Sequence, residues 1–228
     1  MPKLSKRLET IATLVPNGAR VCDIGTDHGY LAINLLKTGR AVNVIATDIG
    51  EKPLLNAKKN IEKADLADKI TLRLCDGLSG IKKNEADTAI IAGMGGEVIA
   101  KIMENGCEIA KDNSLTFILQ PTTSPEILRH FLCKNGYKIH LEIPVFENNK
   151  IYSVMKVSYI STPTKCDIGY FFTGEVKPHS EDGIIYIKKQ QNRCMQCVLA
   201  LQNLPEKADE YLYYKSALDY INTILTEK

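Results

Sequence analysis

An alternation constrains this chain more than any other feature: short apolar runs take turns with stretches whose apolar residues recur at helical spacing. Leu4, Leu8, Ile11, Ala12 and Val15 open the chain on one helical face, and Pro16-Asn17-Gly18 stops the pattern. Val21–Ile24 reads as a strand, Tyr30–Lys37 as a helix, Val42–Thr47 as a strand and Glu51–Ala64 as a helix. Lys69–Leu74 and Thr88–Ala92 are further strands, followed by a helix over Glu97–Glu104, a strand over Leu115–Leu119 and a helix over Pro125–Lys134. Strands separated by helices require crossover connections, so this rhythm predicts a parallel sheet covered by helices on both faces.

The rhythm then breaks. Tyr137–Phe146 and Ile151–Ile160 alternate as two strands with only Glu147-Asn148-Asn149-Lys150 between them, which predicts a hairpin turning at Asn148-Asn149. After Thr162-Pro163 the sequence is rich in Gly, Pro, Thr and aromatic residues without a period, up to residue 183. From Ile184 to Leu225 apolar residues return at helical spacing, interrupted at Leu204-Pro205, as two helices in a hairpin would require. The boundary falls near residue 163, giving an α/β domain over 1–162 and a helical, coiled-coil-like domain over 163–228.

No apolar run approaches the roughly 18 residues of a membrane span, and the N-terminal Pro2, Lys3, Lys6, Arg7 and Glu9 lack the apolar core of a signal peptide. A soluble, cytoplasmic protein is expected, with a monomer compatible with the sequence. Seven cysteines, an odd number lying mostly in apolar runs, read as reduced core residues. A net charge of +2 neither demands nor excludes nucleic acid, because only a local patch need be basic.

The chemistry gathers at strand ends. The first strand closes on Asp23-Ile24-Gly25-Thr26-Asp27-His28-Gly29-Tyr30, where Gly25 and Gly29 let backbone approach a ligand at a helix N-terminus. Asp48 closes the second strand, where a carboxylate accepts both hydroxyls of a ribose, and Asp76 closes the third, facing an adenine amine. Each taken alone is also an ordinary turn residue. A dinucleotide pyrophosphate needs a turn free of acids, whereas Asp23 and Asp27 flank this one and would repel it. Two carboxylates tolerate the zwitterionic methionine end and sulfonium of S-adenosylmethionine, which favours the methyl donor over NAD. Gly93-Met94-Gly95-Gly96 after the fourth strand would leave an open floor where methyl group and acceptor meet, or supply positive φ to a loop. Gln120-Pro121-Thr122-Thr123 after the fifth strand lies on the same rim.

Together Leu4–Leu14, Asp23–Leu31, Asp48, Cys75-Asp76-Gly77, Ala92–Gly96 and Leu119-Gln120-Pro121 resemble the bacterial tRNA (adenine-22-N1)-methyltransferases, over roughly residues 1–160. The resemblance implies a Rossmann-like class I methyltransferase sheet, parallel with a C-terminal antiparallel hairpin, plus a C-terminal helical hairpin. It implies methyl transfer from S-adenosylmethionine to N1 of an adenine in the tRNA D-arm, leaving S-adenosylhomocysteine. Cofactor contacts are then expected from Asp23, Gly25, Asp27, His28, Gly29, Asp48, Ile49, Asp76, Gly77, Gly93, Met94 and Gly95. Gly96, Gln120 and Pro121 are expected on the substrate side. The C-terminal region matches only in general character.

Many class I enzymes carry acid-x-Gly-x-Gly-x-Gly, and here the middle glycine is Asp27. N1 of neutral adenine already has a lone pair, so no base is needed to create the nucleophile. Methylation leaves positive charge shared with the exocyclic amine, which a carboxylate would stabilise in the transition state; the plainer role for Asp27 is to cap the following helix. Tyr30 either stacks on the adenine or fills the core. An adenine paired through N1 must leave its stack before reacting. Lys3, Lys6 and Arg7, with Lys188, Lys189 and Arg193, are candidate phosphate contacts or else solvated faces. Cys194-x-x-Cys197 has metal spacing without a second pair or nearby His, so no metal is expected. The alternatives are a methyltransferase of another RNA, a protein or a small molecule, a non-catalytic RNA-binding module with a nucleoside pocket, and, as an outsider, a NAD-linked dehydrogenase.

Overall fold

The structure, a computed structural model, describes residues 3–226. The elements run α1 (Lys6–Leu14), β1 (Ala19–Ile24), α2 (Tyr30–Lys37), β2 (Ala41–Asp48), α3 (Glu51–Lys63), β3 (Ile70–Leu74), β4 (Thr88–Gly95) and α4 (Gly96–Asn105). They continue α5 (Cys107–Ala110), β5 (Thr116–Thr123), α6 (Pro125–Lys134), β6 (Tyr137–Glu147), β7 (Lys150–Tyr159), α7 (Ile168–Thr173), α8 (Glu181–Leu201), a short 3-10 turn (Pro205–Lys207) and α9 (Ala208–Thr226).

The sheet has the order β3-β2-β1-β4-β5-β7-β6. The first five of these strands are mutually parallel, and β7 enters antiparallel between β5 and β6. Parallel strands covered on both faces bury most of their side chains, and successive residues divide between two cores. Val21, Ile90 and Ile118 join the core beneath α1, α2 and α3; Cys22, Ile91 and Leu119 join the one beneath α4 and α6. The chain reverses direction across the sheet between β1 and β4, and the crevice above such a reversal is where open α/β sheets take ligands. The hairpin turns as its sequence requires: Asn148 and Asn149 both adopt positive φ, 50° and 59°, beneath the Glu147–Lys150 pair.

Two strands run further than their apolar runs. β4 continues through Gly93-Met94-Gly95 and β5 through Gln120–Thr123, with register shifts around Met94. Gly93, at φ 78°, forms the bulge that lets β4 carry on past its apolar stretch. Pro121, which lacks an N–H, is tolerated because β7 pairs only with Thr116–Leu119. A further helix, α7, lies inside the stretch without a period, and α8 begins at Glu181, where the Ser180 hydroxyl accepts the Gly183 N–H at 3.1 Å.

The C-terminal helices share a third apolar cluster with the hairpin: Ile151 packs with Phe172, Val176, Tyr186, Ile187, Cys194, Ala217 and Ile221. Beside it Arg129 of α6 is fully buried. It donates to Glu142 Oε1 at 2.6 Å and Oε2 at 3.3 Å, to the Phe171 and Phe172 carbonyls, and to the Tyr186 hydroxyl. One expectation is corrected here. Cys133 and Cys166 are joined in a disulfide, with Cα atoms 6.5 Å apart, because the Thr164 N–H bonds the Cys133 carbonyl at 2.9 Å and folds the segment after β7 back over α6.

Candidate active site

Above the C-terminal ends of β1, β2, β3 and β4 lie two adjoining cavities. One, of about 340 Å³, is lined by Gly25, Thr47, Asp48, Ile49, Cys75, Asp76, Gly77, Met94, Val98, Lys101, Ile102 and Asn105, with Ile24. The other, of about 330 Å³, is lined by Arg7, Leu8, Asp23, Gly25, Thr26, Asp27, His28, Tyr30, Leu31, Ala92, Gly93 and Gln120. They meet at Gly25. A Cβ there would collide with the methyl of Met94, so the thioether lies across the glycine and divides the crevice. Gly25 also holds φ at 76°, and its N–H and that of Thr26 both donate to the Thr47 carbonyl at 2.9 Å.

The acids occupy distinct surroundings. Asp23 is 5% exposed and accepts the Thr26 hydroxyl at 2.7 Å. Burial raises its pKa to about 6; the Thr26 bond lowers it and the nearby Asp48 carboxylate raises it further. Asp48 accepts the Gly50 N–H at 2.9 Å through Oδ1, and the Asp27 N–H points at Oδ2 from 3.4 Å. Asp76 and Gly77 border the first cavity, and Ile49, 74% exposed, forms its outer lip. The Thr47 hydroxyl, completely buried on that cavity wall, has no protein partner.

Asp27 sits in the left-handed region at φ 50°, with a side chain 64% exposed and 3.4 Å from His28 Nε2. It caps nothing: the residue ahead of α2 is Gly29, and no side chain bonds that helix end. Tyr30 stacks on His28, ring centroids 5.4 Å apart, and both line the second cavity. Gly96 is buried at the start of α4, where any Cβ would meet the Ser124 carbonyl.

The far wall of the second cavity carries Gln120, expected on this rim from the sequence, and Arg7, expected instead as a phosphate contact. Gln120 is 1% exposed; its Oε1 accepts the Gly93 N–H at 3.2 Å and Arg7 Nη1 at 3.0 Å, and its Nε2 donates to the Pro121 carbonyl at 2.8 Å. Arg7 bonds Glu147 Oε1 at 2.8 Å and lies over the Tyr152 ring, 4.6 Å from its centroid. No local pattern marks Glu147 or Tyr152, which reach α1 only because the hairpin returns beside it. Of the other basic candidates, Lys3, Lys6 and Lys188 are exposed, Lys189 Nζ lies 3.4 Å from the Ile151 carbonyl, and Arg193 pairs with Glu126 at 2.8 Å. Burial pushes the Cys194 thiol up to about 12.

An acid at the end of each of the first three strands, and a glycine bulge after the fourth, enclose space for a nucleoside on one side of Met94 and a small polar group on the other. Residues 4–155 match the family model of the methyltransferase domain. The chain belongs to this methyltransferase family. Within it, the chain is 42% identical over 153 residues to the tRNA (adenine(22)-N(1))-methyltransferase of Bacillus subtilis, a match covering 67% of this chain and 64% of that protein. The crystal structure of the B. subtilis m1A22 tRNA methyltransferase superposes with a TM-score of 0.86 at 29% identity, covering 98% of this methyltransferase and 99% of that chain. A Streptococcus pneumoniae protein solved with S-adenosyl-L-methionine superposes with a TM-score of 0.79 at 31% identity, covering 95% and 100%. The last two likenesses run through the C-terminal helices as well as the sheet.

Proposed function

We propose that this chain transfers a methyl group from S-adenosylmethionine to N1 of adenine 22 in the D-arm of tRNA, in the cytoplasm. The observation that carries the reading is the divided crevice, with acids at successive strand ends on both sides of the Gly25–Met94 contact. Its residues fit the cofactor: Asp48 would take the ribose hydroxyls and Asp76 the adenine amine, while Asp23 suits the cationic amino group. The buried, unpartnered Thr47 hydroxyl marks a polar position still to be satisfied in that cavity. When bound, S-adenosylmethionine supplies an electrophilic methyl group.

The acceptor compartment is the part of the second cavity beyond the methionine end at Asp23, with Asp27, Tyr30 and Gln120 on its walls. Asp27, exposed into that space and free of capping duty, accepts a hydrogen bond from the adenine exocyclic amine. That bond strengthens as charge spreads onto the amine, so it lowers the barrier rather than only tightening binding. Tyr30, already stacked on His28, offers a flat face to the extruded base. The B. subtilis relative, named for adenine 22 and N1, supports this substrate for the present chain. The test is to incubate the purified protein with tRNA lacking the modification and labelled cofactor, then digest to nucleosides. Label should migrate as 1-methyladenosine; label in another nucleoside, or in none, refutes the reading.

A further inference from the structure

Methyl transfer needs the acceptor atom held against a fixed surface, and on the acceptor side that surface includes Gly93. A glycine at positive φ in a strand bulge is the most permissive backbone available, so its position must be imposed from elsewhere. Its N–H donates to Gln120 Oε1. The Gln120 amide has one orientation, because its oxygen receives both Gly93 and Arg7 while its nitrogen donates to Pro121. Arg7 is itself fixed by the hairpin. Its Nε and its backbone N–H take the two oxygens of Glu147, at 2.8 and 3.0 Å, and its guanidinium rests on Tyr152. Burial raises the pKa of Glu147, yet the bonds from Arg7 and Ser5 lower it overall, so the ion pair is charged at neutral pH.

The series Glu147, Arg7, Gln120, Gly93 therefore joins β6, α1, β5 and β4 at the rim of the acceptor compartment. We propose that Arg7 is a positioning residue for methyl transfer, its fork spanning Glu147 and Gln120 to fix the Gly93 floor, rather than a phosphate contact. This rests on the methyl-transfer reading above. A rigid, planar fork is needed because two acceptors on different elements must be held at once, which a single ammonium does not do.

Single-turnover methylation of tRNA by full-length Arg7→Met and Arg7→Lys, with tRNA KM, its salt dependence and cofactor affinity, tests this. Arg7→Met should lower the rate about tenfold or more, since small displacements at a reacting centre are costly, with KM, salt dependence and cofactor affinity near wild type. Arg7→Lys should not restore the rate. A rate within twofold of wild type, rescue by Lys, or a raised KM with a shallower salt dependence and unchanged rate would each overturn the proposal. Should Arg7→Met prove too unstable to assay, Glu147→Gln makes the same test by loosening Arg7: a severalfold slower rate is expected, and an unchanged one overturns it. Wild-type protein that made no 1-methyladenosine would instead remove the underlying reading, before any variant was compared.

Discussion

Asp23 is an acid buried where its charge is a burden to the empty protein. Its pKa of about 6 lies above the ordinary 3.8, chiefly through burial, so ionised Asp23 disfavours the fold by about 3 kcal/mol. The deficit is absent below about pH 4, grows as pH rises and is complete above about pH 6. Asp23→Asn keeps an acceptor for Thr26 and should raise the Tm of ligand-free protein at pH 7.5, with the gain vanishing near pH 4; an equal gain at both would exclude this origin. A bound ammonium relieves the same burden, which is a physical reason for a binding site to retain such an acid. Asp27 carries the sharper prediction. Asn accepts left-handed backbone readily and keeps size and one acceptor, so Asp27→Asn should leave cofactor and tRNA affinity intact while kcat falls about a hundredfold, the usual cost of removing one stabilising group. A rate within about threefold of wild type would return Asp27 to a structural role. Asp23, Asp48 and Asp76 were legible because a strand end in this fold faces the crevice. Glu147 and Tyr152 were not, since Arg7 meets Glu147 across 140 residues of chain.

The parallel strands and the hairpin were readable as elements because period and turn chemistry agree over their whole length. α7 escaped because six residues give too little periodicity, and the tails of β4 and β5 because glycine and proline read as loop until a bulge and an unpaired flank accommodate them. The meeting of elements that matters most for stability was also invisible: α6, β6, α7 and α8 converge on the buried Arg129–Glu142 pair. Gly174 belongs to this arrangement, since a Cβ there would strike both Glu142 and Arg129. Removing one partner leaves the other charge buried, so Glu142→Leu should cost roughly 3–5 kcal/mol in urea unfolding. Replacing both Arg129 and Glu142 with apolar residues should recover much of that loss. If the single and double replacements cost the same, the pair is not what joins these elements.

At the scale of the molecule, the helical segment is bound to the methyltransferase sheet by shared core as well as by chain, through Ile151, Tyr186 and the hydrogen bonds of Arg129. It also places basic groups beside the hairpin. Lys189 lies near Lys150 and Arg193 there, and burial first, then those two charges, lower its pKa. We therefore expect Lys188→Ala with Lys189→Ala to raise tRNA KM and make binding less salt-dependent, by about one unit of slope for each phosphate no longer neutralised, without changing kcat or cofactor affinity. An unchanged KM and slope would assign the helices another task. The claim on which all of this rests is the site of methylation, and one measurement addresses it directly: 1-methyladenosine mapped by mass spectrometry in tRNA transcripts carrying adenine or guanine at position 22. One methyl group is expected on N1 of adenine 22, and none when guanine replaces it. Methylation that persists in the guanine transcript, or that falls on another base of the adenine one, would contradict the claim.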